Sequence, residues 1–599
     1  MAASTRSEKD PLGNKDVPSD ALYGVQTVRA QENFPISGLA PLWPFVMAQV
    51  WIKRAAAMTH RITGRLDAPR ADAIIAAADE VLARKHDAQF IVDPYQAGAG
   101  TSHNMNVNEV LANRANEILG GQRGTYTPVH PNDHVNMAQS TNDTIPTNIR
   151  LACLSQLAAF VEAFEGLRDA LAAKGREFDH VVKAGRTHLQ DAMPIRLGQE
   201  FTAYAGSLDR GIRRVKEAAD YLRDLGIGGS AVGTGVTVEK EYPALTVEHL
   251  RVISGLDLRV GQDRIQLMQS MGDVAGFSAA MRVLAIDLSK IASDLRIMVM
   301  GPRTGIDEIK LPAVQPGSSI MPGKINPSIP EMVNQVCFQV MGLDTTVAIA
   351  SEHGQLELNV MMPVIAFNVL LSMRIMTNTA RVFNEKCVSG IEAHEDMCAY
   401  WVERSAALAT ALMPHIGYAR AAELSKQSVK EGVLVRDMVR RDHLLPDDQI
   451  DDVLDLRKMT EIGVPGGGRV ARWTANPRRR GRGAADPSSE RQRAARLASA
   501  SERPVKRAAQ NGPTAPTPLD CSRAHNHPSR IRTHLRPASR TAVWRRAGHG
   551  PRDRIAGAAP SRLRRADHAQ AAACRHRGEH PRCTWWLSPG ARRRRDHGA

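Results

Sequence analysis

The chain has 599 residues and a formal net charge of +15, with 43% hydrophobic but only 4% aromatic residues, so aliphatic side chains must do most of the packing. The opening MAASTRSEKDPLG lacks the apolar run of a signal peptide, and no stretch approaches the ~18 apolar residues of a spanning helix. A secreted or membrane protein is therefore not expected, and the address to expect is cytoplasmic.

The charge is not evenly spread. From Arg469 onward there are 31 Lys+Arg against 8 Asp+Glu, which leaves 47 against 55, or −8, for residues 1–468. An acidic body carries a strongly basic tail. The seven cysteines, at 153, 337, 387, 398, 521, 574 and 583, form no CxxC pair. They signal neither a zinc site nor a disulfide framework and suit a reducing compartment.

In chain order, residues 1–140 are a mixed, mostly helical segment broken by turn signals such as DPLGNKDVPSD and VHPNDH. Within it RADAIIAAADEVLAR (70–84) has apolar residues at helical spacing. Residues 141–395 hold long helical runs, beginning with LSQLAAFVEAFEGLRDALAAKGREF (154–178). Several are apolar on more than one face and predict a bundle, plausibly one shared between subunits. Residues 396–468 return to shorter helices. The fold expected is mainly α, three domains around a long-helix bundle. The tail, 469–599, holds only ten Leu, Ile, Val and Phe, too few to offset the entropy of ordering. Thirty of its 31 basic residues are Arg. It reads as translation past the natural end in a shifted frame, as a disordered arm that binds nucleic acid, or as an extension without a role.

Four separated stretches bracket short polar donors with Gly, Pro or Asn: AGAGTSHNMNVNE (97–109), HPNDHVNMAQSTNDTIPT (130–147), AGRTHLQDAMP (184–194) and GSSIMPGKINP (317–327). Each has a plain structural reading. STND alone is a helix cap, His188 alone a satisfied core histidine, and AGAG lacks the context of a dinucleotide site. GSAVGTG (229–235) is no phosphate loop, since no Gly-Lys-Ser/Thr follows. Together they describe a site rich in neutral donors, suited to a small dicarboxylate.

These same stretches carry a resemblance. GSSIMPGKINP resembles the signature loop of the fumarase/aspartase superfamily, and STND, GRTHLQDAMP and GSAVGTG are similar to its other marker stretches, in the same order, from about residue 11 to about 459. YGVQTVRA, Ser102, Thr141 and IPEMVNQVCFQVMGLDTTV are more similar to the aspartase branch than to class II fumarases. Met362 departs from the Glu usual there, which bears on local packing.

The resemblance implies elimination of ammonia from L-aspartate by a homotetramer whose sites draw on three subunits, a chemistry that needs no organic cofactor, and no metal-ligand spacing or cofactor motif appears in the sequence. It implies Ser318 as base and His188 beside the leaving ammonia with Asn142. Thr101, Ser140, Thr141 and Ser319 would hold the β-carboxylate, and Thr187, Lys324 and Asn326 the α-carboxylate. The rivals are a class II fumarase, a lyase for another substituted succinate, a catalytically silent scaffold, and a nucleic-acid binder acting through the tail.

Overall fold

The computed structural model describes residues 4–467; the expectations for the tail lie outside them. The chain opens with an antiparallel hairpin of β1 (Thr5–Asp10) and β2 (Gly13–Pro18). Four helices follow: α1 (Val25–Asn33), α2 (Trp43–Ile62), α3 (Ala68–Leu82) and α4 (Thr101–Ile118). The periodicity at 70–84 thus becomes α3, which starts where Asp67 caps it, its side chain accepting from Arg70 N.

The centre is a bundle. Its first member, α5 (Thr141–Glu177), runs for 37 residues. It begins well before residue 154 and carries Pro146 in its second turn. There the proline removes one backbone hydrogen bond without ending the helix, because a complete capping box of Ser140 and Asp143 secures the first turn. The hairpin β3 (Val182–Thr187) and β4 (Gln190–Arg196) leads into α6 (Leu197–Asp220). After α7 (Tyr242–Ser254) and α8 (Arg264–Gln269) come α9 (Gly272–Met298), α10 (Ser328–Glu352) and α11 (Met362–Lys386). Buried Phe160, Phe164, Phe201, Phe277 and Phe383 are the largest apolar side chains of its core. A separate small core, including Leu424, Met438 and Ile450, joins the short helices after residue 404.

Contacts fix the direction of every long helix. Arg150 of α5 meets Asp273 at the start of α9 at 3.2 Å, and Asn359 N, beyond α10, donates to Met268 O at 3.2 Å. At the other end Gly198 N donates to Phe178 O at 3.1 Å, Lys174 Nζ to Ile391 O at 2.7 Å, and Arg296 Nη1 to Asn334 Oδ1 at 2.9 Å. So α5, α9 and α11 run one way, α6 and α10 the other. At about 1.5 Å per residue, α5 separates the two ends by about 55 Å.

The turn from α5 into α6 is tight. A Cβ on Gly198 would meet the Gly175 carbonyl oxygen and lie 2.7 Å from Asp179 Cα, so only glycine allows this approach. Gly198→Ala is expected to cost about 1–3 kcal/mol as an overpacking change, read as a lowered urea midpoint, and to loosen the β3–β4 hairpin that this turn supports.

Candidate active site

One group of the predicted residues gathers at the α5 N-terminus. Ser140 is the N-cap, its Oγ accepting from Asn142 N at 3.2 Å. Asp143 returns the bond, its Oδ1 accepting from Ser140 N at 2.9 Å, while its Oδ2 accepts from Gly228 N and Ser230 N at 2.9 and 3.0 Å. The GSAVGTG loop is therefore the partner of STND. Asn142 strengthens the junction by donating Nδ2 to Ala231 O at 2.8 Å. Thr101, at the start of α4, lies at this same end: Ala99 N donates to Val360 O at 2.8 Å, and a Cβ on Gly100 would sit 3.1 Å from Ile145 of α5.

The second group lies at the opposite end of the bundle. Thr187 ends β3, and His188 with Leu189 forms the two-residue turn of the hairpin, at φ 55° and 58°. Such a turn normally calls on Asn or Gly. Two bulkier residues in the left-handed region store strain, a feature that clusters at functional sites. Beneath the turn, Glu308 binds Arg186 at 2.7 Å and Lys183 at 3.0 Å. Burial lowers the Lys183 pKa, but Glu200 and Glu308 outweigh it and the net shift is upward. A cleft of about 490 Å³ opens here, lined by Arg186, His188, Tyr204, Lys290 and Asp294 among others.

The loop 317–327 enters α10 at this same end. Gly317 N donates to Lys324 O at 2.8 Å and Asn326 Nδ2 donates to Gly317 O at 2.6 Å, so the loop is pinned shut at its base. A Cβ on Gly317 would lie 2.6 Å from Asn326 N. Ser318 Oγ accepts two backbone N–H bonds, from Met321 at 2.9 Å and Ile320 at 3.3 Å. Ser319 and Lys324 are exposed, and Asn326 keeps its second amide hydrogen for another partner.

Among the described residues no hydrogen bond joins the two groups, and α5 holds them apart. The chain places Thr101, Ser140, Thr141 and Asn142 together and Thr187, His188, Ser318, Ser319, Lys324 and Asn326 at the other end. No group of three or more His, Cys, Asp or Glu among the described residues is placed to hold a metal ion.

A family model described as Lyase matches residues 13–342, and one described as Fumarase C C-terminus matches residues 408–461. The chain belongs to the fumarase/aspartase superfamily. It is 48% identical over 462 residues to an aspartate ammonia-lyase of Bacillus subtilis, covering 77% of this chain and 97% of that one. It is also 47% identical over 468 residues to a class II fumarate hydratase of Halobacterium salinarum, covering 78% and 99%. Among solved structures, a fumarate lyase:delta crystallin from Brucella melitensis bound to cobalt matches with a TM-score of 0.74 at 47% identity, covering 76% of this chain and all of that one.

Sequence reasoning missed the buried layer behind STND. Lys53 of α2 is fully buried and donates to Asn136 Oδ1 at 2.8 Å and Gln139 Oε1 at 2.9 Å. The available signal was Gln49 and Lys53, one helical turn apart in the apolar run VMAQVWIKRAAAM. Burial pushes the Lys53 ammonium down to about 7, partly opposed by the charge of Asp143. Burial likewise pushes Asp143 up to about 6, against the N–H groups of Ser140, Ser230 and Gly228 and the charge of Lys53.

The sign of the Lys53 effect follows by linkage. Between its folded value near 7 and the ordinary value near 10.4, the unfolded chain binds more protons, so stability rises with pH across that window. Asp143 is already ionised there, and burial keeps His103 neutral by pushing it down to about 3. Urea midpoints of wild type and Lys53→Met at pH 7 and about pH 9.5 are expected to show the wild type gaining on the variant as pH rises.

Proposed function

We propose that the chain catalyses the reversible elimination of ammonia from L-aspartate to give fumarate, as a cytoplasmic homotetramer. The observation that carries this is the environment of Ser318. A serine hydroxyl is a poor base unless its alkoxide is stabilised. Two backbone N–H groups already converge on Ser318 Oγ, and negative charge there would strengthen both bonds.

In the reaction Ser318 takes the Cβ proton, and the electron pair left behind moves into the β-carboxylate as an aci-carboxylate. Collapse of that pair forms the Cα–Cβ double bond and expels the amine from Cα. Thr101, Ser140, Thr141 and Ser319 donate to the β-carboxylate as its charge grows, which favours the transition state over bound substrate. Thr187, Lys324 and Asn326 hold the α-carboxylate. Asn142 donates one amide hydrogen to Ala231 O, which turns Oδ1 the other way, an acceptor suited to an ammonium group beside His188.

Assembly supports the same reading. The two halves of the donor set lie at opposite ends of the subunit, so a complete site needs the near end of one chain and the far end of another. Phe338 (60% exposed) and Ile349 (57%) on α10, with Ile286 (44%) and Ile297 (37%) on α9, leave apolar side chains uncovered on the long helices, as a bundle shared between subunits requires. Four buried free cysteines fit a reducing compartment. No helix among the described residues is long and apolar enough to cross a membrane.

A class II fumarase is the second reading, favoured by the relative from Halobacterium salinarum. Fumarate absorbance with purified protein decides between them: a rise with L-aspartate alone is expected, and a rise with L-malate alone overturns the proposal. Ser318→Ala is expected to lower kcat about 10²–10⁴-fold while the oligomer stays intact by light scattering.

Mixing tests the shared site. Thr141→Ala and His188→Ala, each nearly inactive alone, are expected to recover about a quarter of wild-type activity when refolded together, because a quarter of randomly assembled sites take both intact halves. No recovery in mixed oligomers would place the whole site within one chain.

A further inference from the structure

Thr141 serves an anionic substrate only if its hydroxyl donates, yet a threonine hydroxyl donates or accepts with equal ease. What decides lies behind it, in a buried cluster of amides that the reaction itself does not use. We propose that Lys53 is a positioning residue that, with the backbone carbonyls facing Asn136 and Gln139, sets the hydrogen-bond polarity of this cluster, so that Thr141 presents its O–H to the substrate carboxylate. The inference rests on the role given to Thr141 above.

An ammonium has three N–H groups and no lone pair. Every atom facing Lys53 Nζ must therefore accept, which fixes Asn136 and Gln139 with their oxygens inward, at 2.8 and 2.9 Å. Asn136 Oδ1 then receives two further donors, Asn104 Nδ2 at 3.3 Å and Asn108 Nδ2 at 3.2 Å. Asn104 is held in that orientation from its other side, its Oδ1 accepting from Gln49 Nε2 at 2.7 Å. The same Asn104 Nδ2 lies 3.4 Å from Thr141 Oγ1. Thr141 accepts from the core, and its own hydrogen is left to point outward.

Amide groups flip readily when their partners can reverse with them. Were Gln49, Asn104, Asn108, Asn136 and Gln139 to reverse together, Thr141 would turn its hydrogen inward, but Asn136 and Gln139 are held from both sides, by Lys53 on their oxygens and by the carbonyls of Gln139, Val135 and Met137 on their amide nitrogens. Lys53 is the side chain among these fixed partners, and as an ammonium it can only donate. Loss of its proton would give Nζ a lone pair able to accept, so this constraint belongs to the ammonium form.

Lys53 also fixes the approach to the cap. Asn136 Nδ2 donates to Gln139 O at 3.2 Å, and Gln139 Nε2 donates to Val135 O and Met137 O at 3.2 Å each. The turn they tie contains Ala138 at φ 61° and delivers the chain directly into Ser140. Lys53, clamped to both side chains, therefore orders the donors on either side of the turn.

The test is a double-mutant cycle in the full-length protein with Thr141→Ala and Lys53→Met, which keeps the length of the side chain and removes its donors. Thr141→Ala is expected to lower kcat about 100-fold. Lys53→Met is expected to lower kcat about 10–100-fold with KM changed less than about threefold, and the double variant to fall no more than about threefold below the weaker single variant. Losses that multiply overturn the proposal, because a lysine acting only on packing would not need Thr141 to exert its effect. Should Lys53→Met fail to assemble, Asn104→Ala interrupts the same path and is expected to be non-additive with Thr141→Ala; additivity there overturns the proposal equally. Failure of the reaction assignment shows in the wild type instead, as turnover of L-malate alone, and the cycle is then run with malate. For a chain silent with both substrates, the same cycle is read from fumarate affinity by calorimetry.

Discussion

A single 37-residue helix is the constraint on which the rest of the structure depends. Sharp bends in helices need a proline, a bulge or an inserted group, and the one proline in α5 lies near its start, where the helix continues regardless. Its ends are therefore held about 55 Å apart. STND opens it and the GRTHLQ hairpin follows its close, so the two sets of donors that the proposed elimination draws on cannot meet within a chain. The antiparallel run of α6 and α10 and the uncovered apolar side chains of α9 and α10 are the other side of this constraint. In the proposed assembly, the helices that separate the half-sites also carry the surface through which another subunit would bring the missing half.

The near half-site is costly to build. Lys53 and Asp143 are both fully buried, and burying an ion carries a penalty of several kcal/mol unless hydrogen bonds compensate. Here the compensation is local: two amide oxygens for Lys53, three backbone N–H groups for Asp143. The outcome is a cap and a loop that cannot shift independently, since Asp143 ties residues 228–230 to the first turn of α5 and Lys53 ties residues 136–139 just before it. The far half-site is built differently. The loop 317–327 is pinned only at its base, and Ile320 (84% exposed) and Met321 (49% exposed) protrude from it. One half is braced by buried groups on both sides of the cap, the other includes a loop tied down only at its base.

Much of this was legible in the residues. The four donor stretches, the long helices and the acidic body were all readable from composition and spacing. STND shows why the structural and functional readings need not compete: Ser140 is a true N-cap, and the cap is what aims Thr141 and Asn142. The early start of α5 was not readable, because Pro146 argues against a helix unless the capping box before it is known to form. Lys53 was hidden for another reason. A single lysine in an apolar helix ordinarily reaches along the surface to water, and only the third dimension shows Asn136 and Gln139 waiting for it. The separation of the half-sites was equally hidden, since helix direction is a property of contacts between distant segments, such as Arg150 with Asp273, that no local pattern encodes.

The two halves of an amino acid substrate ask for opposite hydrogen-bonding behaviour: a carboxylate needs donors and an ammonium needs acceptors. Adjacent residues of one helix turn, Thr141 and Asn142, carry side chains able to do either. What assigns them is the group behind each, and in both cases that group has no choice. Asn142 faces the carbonyl of Ala231, which can only accept, so its amide hydrogens turn inward and its oxygen outward. Thr141 faces the amide of Asn104, whose orientation traces through Asn136 to the Lys53 ammonium, which can only donate, and to the Gln139 carbonyl, which can only accept, so its oxygen turns inward and its hydrogen outward. Two ambivalent side chains are thereby given opposite polarities a single residue apart, in the sense that the proposed binding of aspartate by its carboxylate and its amine would require.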